Sequence, residues 1–380
     1  VRRLAAALLA ACLALAVCAC AGGPAASAGL GNGWEPEGET PLQYATQFTV
    51  EHYQGGCRLL TLADGSRFFV VPEGEAVPEG IAADITVLQR PIGDVYLAGT
   101  AVMCLFDALD SLEAITLSGT KADGWYIENA RAAMERGDIL YAGKYSEPDY
   151  ELILQKGCRL AVESTMILHT PDVKEKLLEL GVPVLVDLSS QESHPLGRTE
   201  WIKFYGALLG REDEAAAFFN RQKQYLDETA ASGDTGKTVA FFYISPAGYA
   251  VARRSGDYLT KMIELAGGRY IFTDLGDPET ATSTVALEME RFYATAKDAD
   301  VIIYNSTITG SQGMQSLEEL LAKSELLRDF KAVQTGNVWC TNQNLYQEMT
   351  QLGTVIADLH TVLTEEDPDP SSLAFLYRLE

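Results

Sequence analysis

The sequence predicts an α/β protein of two lobes, each with a central, mainly parallel sheet flanked by helices, joined by one long interlobe helix. Three observations predict it. Residues 199–230 (TEWIKFYGALLGREDEAAAFFNRQKQYLDETA) are the longest proline-free stretch rich in helix formers. On either side of this stretch, short apolar strand-like runs alternate with helix-like runs, as βαβ units require. The 380 residues also exceed the usual single-domain size of about 100–200.

Within 199–230, Thr199 is expected to cap the first turn, and Gly210 interrupts the run. The stretch after REDE then places Ala215, Phe218, Phe219, Tyr225 and Leu226 near one face, with charged residues elsewhere. It reads as a rigid rod between lobes, the plain alternative being an amphipathic surface helix.

Composition bounds the function. Apolar residues are 47% of the chain, ample for real cores, so wholesale disorder is excluded. The formal net charge of −24 repels phosphate backbones and anionic head groups, so nucleic acid is not an expected partner.

Residues 1–20 read as a lipoprotein signal peptide: Arg2 and Arg3, an apolar run from Leu4 to Cys18, then small residues. The run is too short to span a bilayer comfortably. Val17-Cys18-Ala19-Cys20 resembles a bacterial lipobox with Cys20 as the lipidated residue, Cys18 being disfavoured by bulky Val17 before it. Residues 21–43 suit a flexible tether. The chain is therefore expected at the cell membrane by its lipid anchor only, facing outside the cytoplasm (periplasm or cell surface). Cys57, Cys104, Cys158 and Cys340 have no C-x-x-C spacing, so zinc is not expected. A disulfide among them is permitted outside the cell, and spacing does not choose its pairing.

The N-terminal lobe is expected over 44–198. It begins with a small antiparallel segment, TQFTVEHY, CRLLTL, RFFVV and DITVLQ, with Asp64-Gly65 as a hairpin turn. Strands at 95–97, 115–117, 160–162 and 184–187 then alternate with helices at 103–109, 149–156 and 171–180, the last begun by Pro171, and with one ending near Gly137. The linking helix region spans 199–230 and the C-terminal lobe 231–380. There, strands at 238–244 and 301–304 alternate with helices at 257–266, 289–296 and 317–323. Val338-Trp339 closes the sheet, and a last helix covers 349–363. In open α/β sheets ligands sit beyond the carboxyl ends of the strands, so the function is expected in the cleft between the lobes.

Several segments carry a resemblance: DVYLAGTAVMCLFDAL, YELILQKGCRLAVEST followed by VKEKLLELGVPVLVD, GRTEWIKFYGALLGREDEAAAFF, KDADVIIYNST, and LLRDFKAVQTGNVWC. In order and spacing they resemble the substrate-binding proteins of bacterial ABC importers with a single linking helix, the class of iron-siderophore, haem and cobalamin binders. The resemblance covers about residues 90–380, with Gly157-Cys158 where the family usually has Lys-Pro. It implies a binding protein that closes on its ligand by a small hinge motion. It also implies docking on an ABC permease driven by its ATPase, and a monomer. Family docking uses one glutamate per lobe. Glu151 falls in register for the N-lobe and Glu290 is the nearest C-lobe match, with Glu288 as fallback; the alternative for each is a solvated helix charge.

Candidate ligand-binding residues follow the strands. In the N-lobe they are Thr100, Trp125, Tyr126, Ser164, Thr165, Gln191 and His194. In the C-lobe they are Tyr243, Ser245, Tyr249, Arg253, Asn305, Ser306, Thr307, Gln343 and Tyr346. Ser164-Thr165 and Ser306-Thr307 would face each other as neutral hydroxyl pairs, unless they merely cap the next helix. Arg253 could hold a carboxylate or chelate oxygen bidentately.

The only histidines are His52, His169, His194 and His360, and no His/Asp/Glu cluster suits a bare metal ion. No intrinsic cofactor or metal is expected. The expected ligand is a small-molecule metal chelate, a ferric siderophore first. Haem, with His194, Tyr126 or Tyr249 as axial ligand, and cobalamin follow. The chain lacks G-x-S-x-G, H-E-x-x-H, P-loop and Rossmann motifs, so an enzyme is not expected. A ligand sensor coupled to a membrane signalling protein remains the rival reading.

Overall fold

The computed structural model describes Leu30 and residues 34–278, 282–308 and 313–380. The signal peptide, Cys20 and nearly all of the tether before residue 34 lie outside the described residues.

The chain opens with a five-stranded sheet, β1 (Gly38–Glu39), β2 (Phe48–His52), β3 (Arg58–Leu62), β4 (Arg67–Val71) and β5 (Ile85–Gln89), in sequential order. Asp64 and Gly65 form the β3–β4 turn, as expected. The segment is not wholly antiparallel, because β5 pairs parallel to β4. Alternation along these strands fills two cores. Val50, Leu60, Phe68 and Val70 face the main body, while Tyr53, Leu59, Phe69 and Val71 enclose a separate small core with Leu30 and Trp34.

The N-lobe sheet comprises β6 (Val95–Leu97), β7 (Ile115–Ser118), β8 (Leu140–Tyr141), β11 (Leu160–Ser164) and β12 (Val184–Asp187), beside a small hairpin of β9 (Gly143–Lys144) and β10 (Glu147–Pro148). Its order is β12-β11-β6-β7-β8, parallel throughout. The near-continuous apolar strands VYL and VLVD are buried on both faces, as crossover helices demand. Those helices are α1 (Met103–Ala108), α2 (Glu128–Arg136), α3 (Tyr150–Gln155) and α4 (Pro171–Glu179). Asp149 caps α3 through the Leu152 N–H, and Pro171 starts α4, where its missing N–H costs nothing.

Residues 195–230 form three helices: α5 (Pro195–Glu200), α6 (Ile202–Leu209) and α7 (Glu212–Ala230). Thr199 is not a cap. It lies inside α5, buried, and its hydroxyl donates to the Met349 carbonyl at 2.8 Å. Pro195, with His194 as its cap, starts the helix earlier than expected. Gly210 ends α6 in the left-handed conformation, φ 77°, which favours glycine. The rod α7 has 19 residues, about 28 Å at 1.5 Å per residue. Three acidic residues in its first turn, Glu212, Asp213 and Glu214, complement the helix dipole.

The C-lobe sheet contains β13 (Thr238–Ile244), β14 (Ala250–Arg253), β15 (Arg269–Tyr270), β16 (Thr284–Leu287), β17 (Val301–Tyr304), β18 (Val338–Thr341) and β19 (Leu376–Arg378). The order is β16-β14-β13-β17-β18-β19, with β15 beside β13. The core β13-β17-β18 is parallel, whereas β14 pairs antiparallel with β13, β16 antiparallel with β14, and β19 antiparallel with β18. Val338 and Trp339 therefore do not close the sheet: β19 pairs beyond them. Helices α8 (Tyr258–Leu265), α9 (Met289–Ala296), α10 (Leu317–Lys323), α11 (Lys331–Gln334) and α12 (Leu352–Thr364) cover the faces. Cys57, Cys104, Cys158 and Cys340 are all buried free thiols, with no disulfide among them.

The rod is locked to the last helix by close backbone approach. The Gln222 side chain of α7 accepts the Thr354 N–H at 3.1 Å, and a methyl at Gly353 would lie 2.2 Å from the Gln222 carbonyl oxygen. Gly353→Ala must push α7 and α12 apart. It is expected to lower stability by about 1–3 kcal/mol, seen as a lower urea midpoint with unchanged slope.

Candidate functional site: the interlobe cleft

The two lobes meet through a small set of polar groups: the segment after β18 contacts the loop after β7, and α5, after β12, contacts α8 and the segment before α12. The Gln347 amide spans the lobes. Its Oε1 accepts the Tyr126 N–H and its Nε2 donates to the Gly124 carbonyl, both at 2.8 Å. Using both ends of one amide fixes the spacing of the two loops.

Four expected C-lobe residues come together around one phenol. The Arg253 guanidinium donates to the Tyr346 hydroxyl oxygen, and Asn305 Nδ2 donates to the same oxygen at 3.0 Å. Thr307 Oγ1 donates to Asn305 Oδ1 at 2.7 Å, orienting that amide. With two donors on its oxygen, Tyr346 keeps its own proton for a further acceptor. Burial raises the Tyr346 pKa, so it stays a neutral donor. Arg253 also reaches Asp257, Nη1 to Oδ2 at 3.6 Å. That carboxylate is already engaged by the Leu259 and Ser283 N–H groups. Burial works against the Arg253 charge, but Tyr346 and Asp257 outweigh it and its pKa is raised.

From the N-lobe side, Thr165 Oγ1 lies 3.4 Å from Ser190 Oγ. The Ser190 carbonyl accepts from Arg198 Nη2 at 2.8 Å, and the Glu192 carbonyl from its Nε at 3.4 Å. The Arg198 guanidinium stacks on the C-lobe ring of Tyr258, 3.8 Å from its centroid. Arg198 thus belongs to both walls. Arg198, Tyr258, Asp257 and Gln347 were not among the expected residues, and Ser190 stands in the run SSQESHP, of which Gln191 and His194 were the residues expected. The signal for Arg198 was an arginine in the otherwise small and apolar run PLGRT, behind a helix-starting proline.

Other expected residues do different work. Trp125 is no cleft wall: it is 1% exposed and its Nε1 donates to Ser118 Oγ at 3.3 Å, filling the N-lobe core. The two Ser-Thr pairs do not mirror each other. Ser164 accepts the Met166 N–H at 3.3 Å as a cap, and Ser306 is fully buried with its hydroxyl on the Thr341 carbonyl. Gln343 Nε2 is held by the Ser306 carbonyl at 2.9 Å. His194 caps α5, its Nδ1 accepting the Leu196 N–H at 3.1 Å, and its ring stacks on Tyr44 at 4.3 Å. One nitrogen and one face of the imidazole are therefore occupied, and burial lowers its pKa. Ser245 and Tyr249 close the tight β13–β14 turn, the Ser245 N–H on the Tyr249 carbonyl at 2.9 Å. Tyr249 is exposed there. Thr100 begins a 3-10 turn after β6, half-buried. Tyr126 and Tyr243 are half-buried, and Gln191 is exposed. Glu151 and Glu290 stand exposed in the first turns of α3 and α9, one on each lobe. Among the described residues no group of three or more His, Cys, Asp or Glu is placed to hold a metal ion. Nor is any described helix long and apolar enough to cross a membrane.

Comparison with known proteins agrees with this fold. The chain is 26% identical over 321 residues to an uncharacterized lipoprotein of Methanocaldococcus jannaschii, covering 80% of this chain and 74% of that one. The periplasmic haem-binding protein HutB of Vibrio cholerae is similar in fold, with a TM-score of 0.56 at 17% identity. That match covers 70% of this chain and 97% of that one. An ABC-type Fe3+-hydroxamate transport protein of Saccharomonospora viridis gives a TM-score of 0.53 at 17% identity, covering 71% and 93%. Residues 101–345, well over half the chain, match the family described as periplasmic binding protein. With its two α/β lobes and the polar cleft between them, the chain belongs to the periplasmic binding protein family.

Proposed function

We propose that this chain is the extracytoplasmic substrate-binding protein of an ABC importer, capturing an iron chelate of siderophore type in the interlobe cleft. The observation that carries this reading is the polar groups on the two walls, Arg253, Tyr346 and Asn305 on one lobe and Ser190 and Arg198 on the other, with Arg198 stacked on the Tyr258 ring across them. Such convergent donors on loops beyond strand ends suit a ligand held between lobes, and they offer no activated nucleophile. Iron chelates as the class are supported by the similar haem-binding and Fe3+-hydroxamate transport proteins. A lipid anchor at Cys20 is supported by the similar lipoproteins. The protein acts as a monomer, without a resident cofactor.

An absorption spectrum of protein purified from its native host tests the ligand. A broad visible charge-transfer band is expected for a ferric siderophore; a Soret band replaces that ligand with haem, and a cobalt-corrin spectrum with cobalamin. For delivery, Glu151 and Glu290 are the permease contacts, exposed on opposite lobes. Changing both to alanine is expected to abolish uptake in cells while leaving ligand affinity unchanged. Unimpaired uptake would remove them from that role.

A further inference from the structure

His194 stands where the leading sheet, the N-lobe and the C-lobe converge. It opens α5, its ring stacks on Tyr44 at 4.3 Å, and Lys261 of α8 acts on it from the C-lobe. Further along the same short helix, Arg198 makes the cation–π contact with Tyr258, the first residue of α8. How α5 begins therefore bears on how it meets the other lobe. The direction of the His194 hydrogen bond is fixed by its partner. A backbone N–H can only donate, so the Leu196 N–H at 3.1 Å makes Nδ1 the acceptor and leaves the ring proton on Nε2. Pro195 has no N–H, and the Gly197 N–H goes to the His194 carbonyl at 2.9 Å. The imidazole thus holds the first free donor of the helix. Ser, Thr and Asn, the ordinary caps, do not titrate, whereas histidine does so between pH 5 and 8.

A proton on Nδ1 turns that acceptor into a second donor aimed at the Leu196 N–H, so the ring must leave both the cap and its stack on Tyr44. The surrounding charges do not welcome the cation. Lys261 faces it from α8 with a positive charge, and Lys223 of α7 acts on the Tyr44 ring beside it. Among the described residues Glu200 is the carboxylate that acts on it. That carboxylate already accepts three backbone N–H groups and the Lys203 ammonium. Glu192, two residues before it, turns its oxygens onto the Thr46 and Gln47 N–H groups. Burial first, then Lys261, lower the His194 pKa from an ordinary 6.5. The cap is therefore complete above pH 6.5 and is lost as pH falls through the lower, folded value.

We propose that His194 is a proton-operated latch between the lobes. Neutral, it caps α5 and holds that helix, with Arg198, against Tyr258 of the C-lobe. Protonated, it leaves the cap, faces Lys261 as a like charge, and lets the lobes part. Acid then favours the open cleft whatever the cleft carries, so the latch goes beyond the importer reading and stands or falls separately from it.

Spin labels on Leu178→Cys of α4 and Leu326→Cys of the C-lobe, both exposed positions, report the interlobe distance by pulsed electron paramagnetic resonance. The native thiols Cys57, Cys104, Cys158 and Cys340 are buried and stay unlabelled. Between about pH 7.5 and about pH 5, the protein with His194 is expected to shift its open-to-closed ratio towards open by about 5-fold, the loss a missing cap brings. His194→Asn, whose amide oxygen accepts throughout that range, should keep the ratio seen at the higher pH. Glu348 and Asp358, their carboxyls raised by burial to about 7 and about 6, titrate in both proteins. An equal opening of both proteins belongs to such groups and overturns the latch, as does no opening of the protein with His194. If the Asn variant does not fold, His194→Ser is a second cap that does not titrate. If neither folds, nitrogen NMR of the His194 ring, assigned through its contact with Tyr44, decides. The neutral ring is expected to carry its proton on Nε2 and to gain one on Nδ1 over the pH range in which the lobes part. A ring that stays neutral while they part, or whose neutral form carries its proton on Nδ1, overturns the proposal.

Discussion

Glu200→Ala is expected to destabilise the protein by about 3–5 kcal/mol, the range for stripping one partner from a buried ion pair. Glu200 ends α5 with its carboxylate fully buried. It accepts the N–H groups of Gln43 at 3.0 Å, Tyr44 at 2.7 Å and Ala45 at 2.9 Å, three successive donors turned onto one anion. The Lys203 ammonium, itself only 9% exposed, completes the site at 2.7 Å. Alanine leaves three amides without their acceptor and the ammonium with only the Pro41 carbonyl, at 2.8 Å, and no counter-charge. Glu192 repeats the device one step on, accepting the Thr46 and Gln47 N–H groups at 3.0 Å and the Trp201 indole N–H at 3.1 Å. Together they bind the start of the leading sheet to the helices joining the lobes, where Phe48 packs edge-on against Trp201 at 4.9 Å. Urea denaturation measures the effect. Glu200→Gln keeps one acceptor oxygen and should lose less; a loss below about 1 kcal/mol for alanine would mean water replaces the carboxylate.

The second large effect is a pH dependence carried by Glu163. This residue sits on β11, between β12 and β6 in the N-lobe sheet, 0% exposed, and neither carboxylate oxygen has a hydrogen-bond partner among the described residues. Burial alone pushes its pKa up to about 8 from an ordinary 4.5. The folded chain therefore holds a proton that the unfolded chain releases. Its contribution is fully favourable below pH 4.5 and is lost as pH rises towards 8. The loss is on the order of 4 kcal/mol at the top of that window, since each pKa unit is worth about 1.4. Glu163→Gln has no proton to lose, so its urea midpoint should stay flatter from pH 5 to 8 and exceed wild type at the alkaline end. Parallel pH profiles for the two proteins would mean the carboxyl is solvated.

Much of the architecture was legible because it depends on local chemistry. Parallel strands buried on both faces must be apolar throughout, so VYL, VLVD and VIIY identify themselves. The helices over Met289–Ala296 and Leu317–Lys323 carry complete amphipathic patterns, and the structure keeps those limits. Short pieces were less legible. AVAR of β14, TVAL of β16 and LYR of β19 have too few residues for a period, and partners far away in sequence decide their direction. Trp125 shows the same limit within the site. A tryptophan after a strand suits a ligand wall or a core equally well, and only the position of Ser118 Oγ decides for the core.

What the sequence determined by itself is the alternation of elements, the break at Gly210 and the rod that follows it. All three rest on backbone preference and periodicity within a dozen or so neighbours. Only the tertiary structure decided which polar groups meet in the cleft. Arg198 and Tyr258, Arg253 and Tyr346, and Gln347 and Tyr126 are brought together from residues far apart along the chain. Glu192 and Glu200 look like ordinary surface charges in the sequence, and become buried anchors because the distant segment 43–47 turns its amides onto them. A charge finds its counterpart through space, and a linear pattern carries no information about which distant donor the fold will deliver.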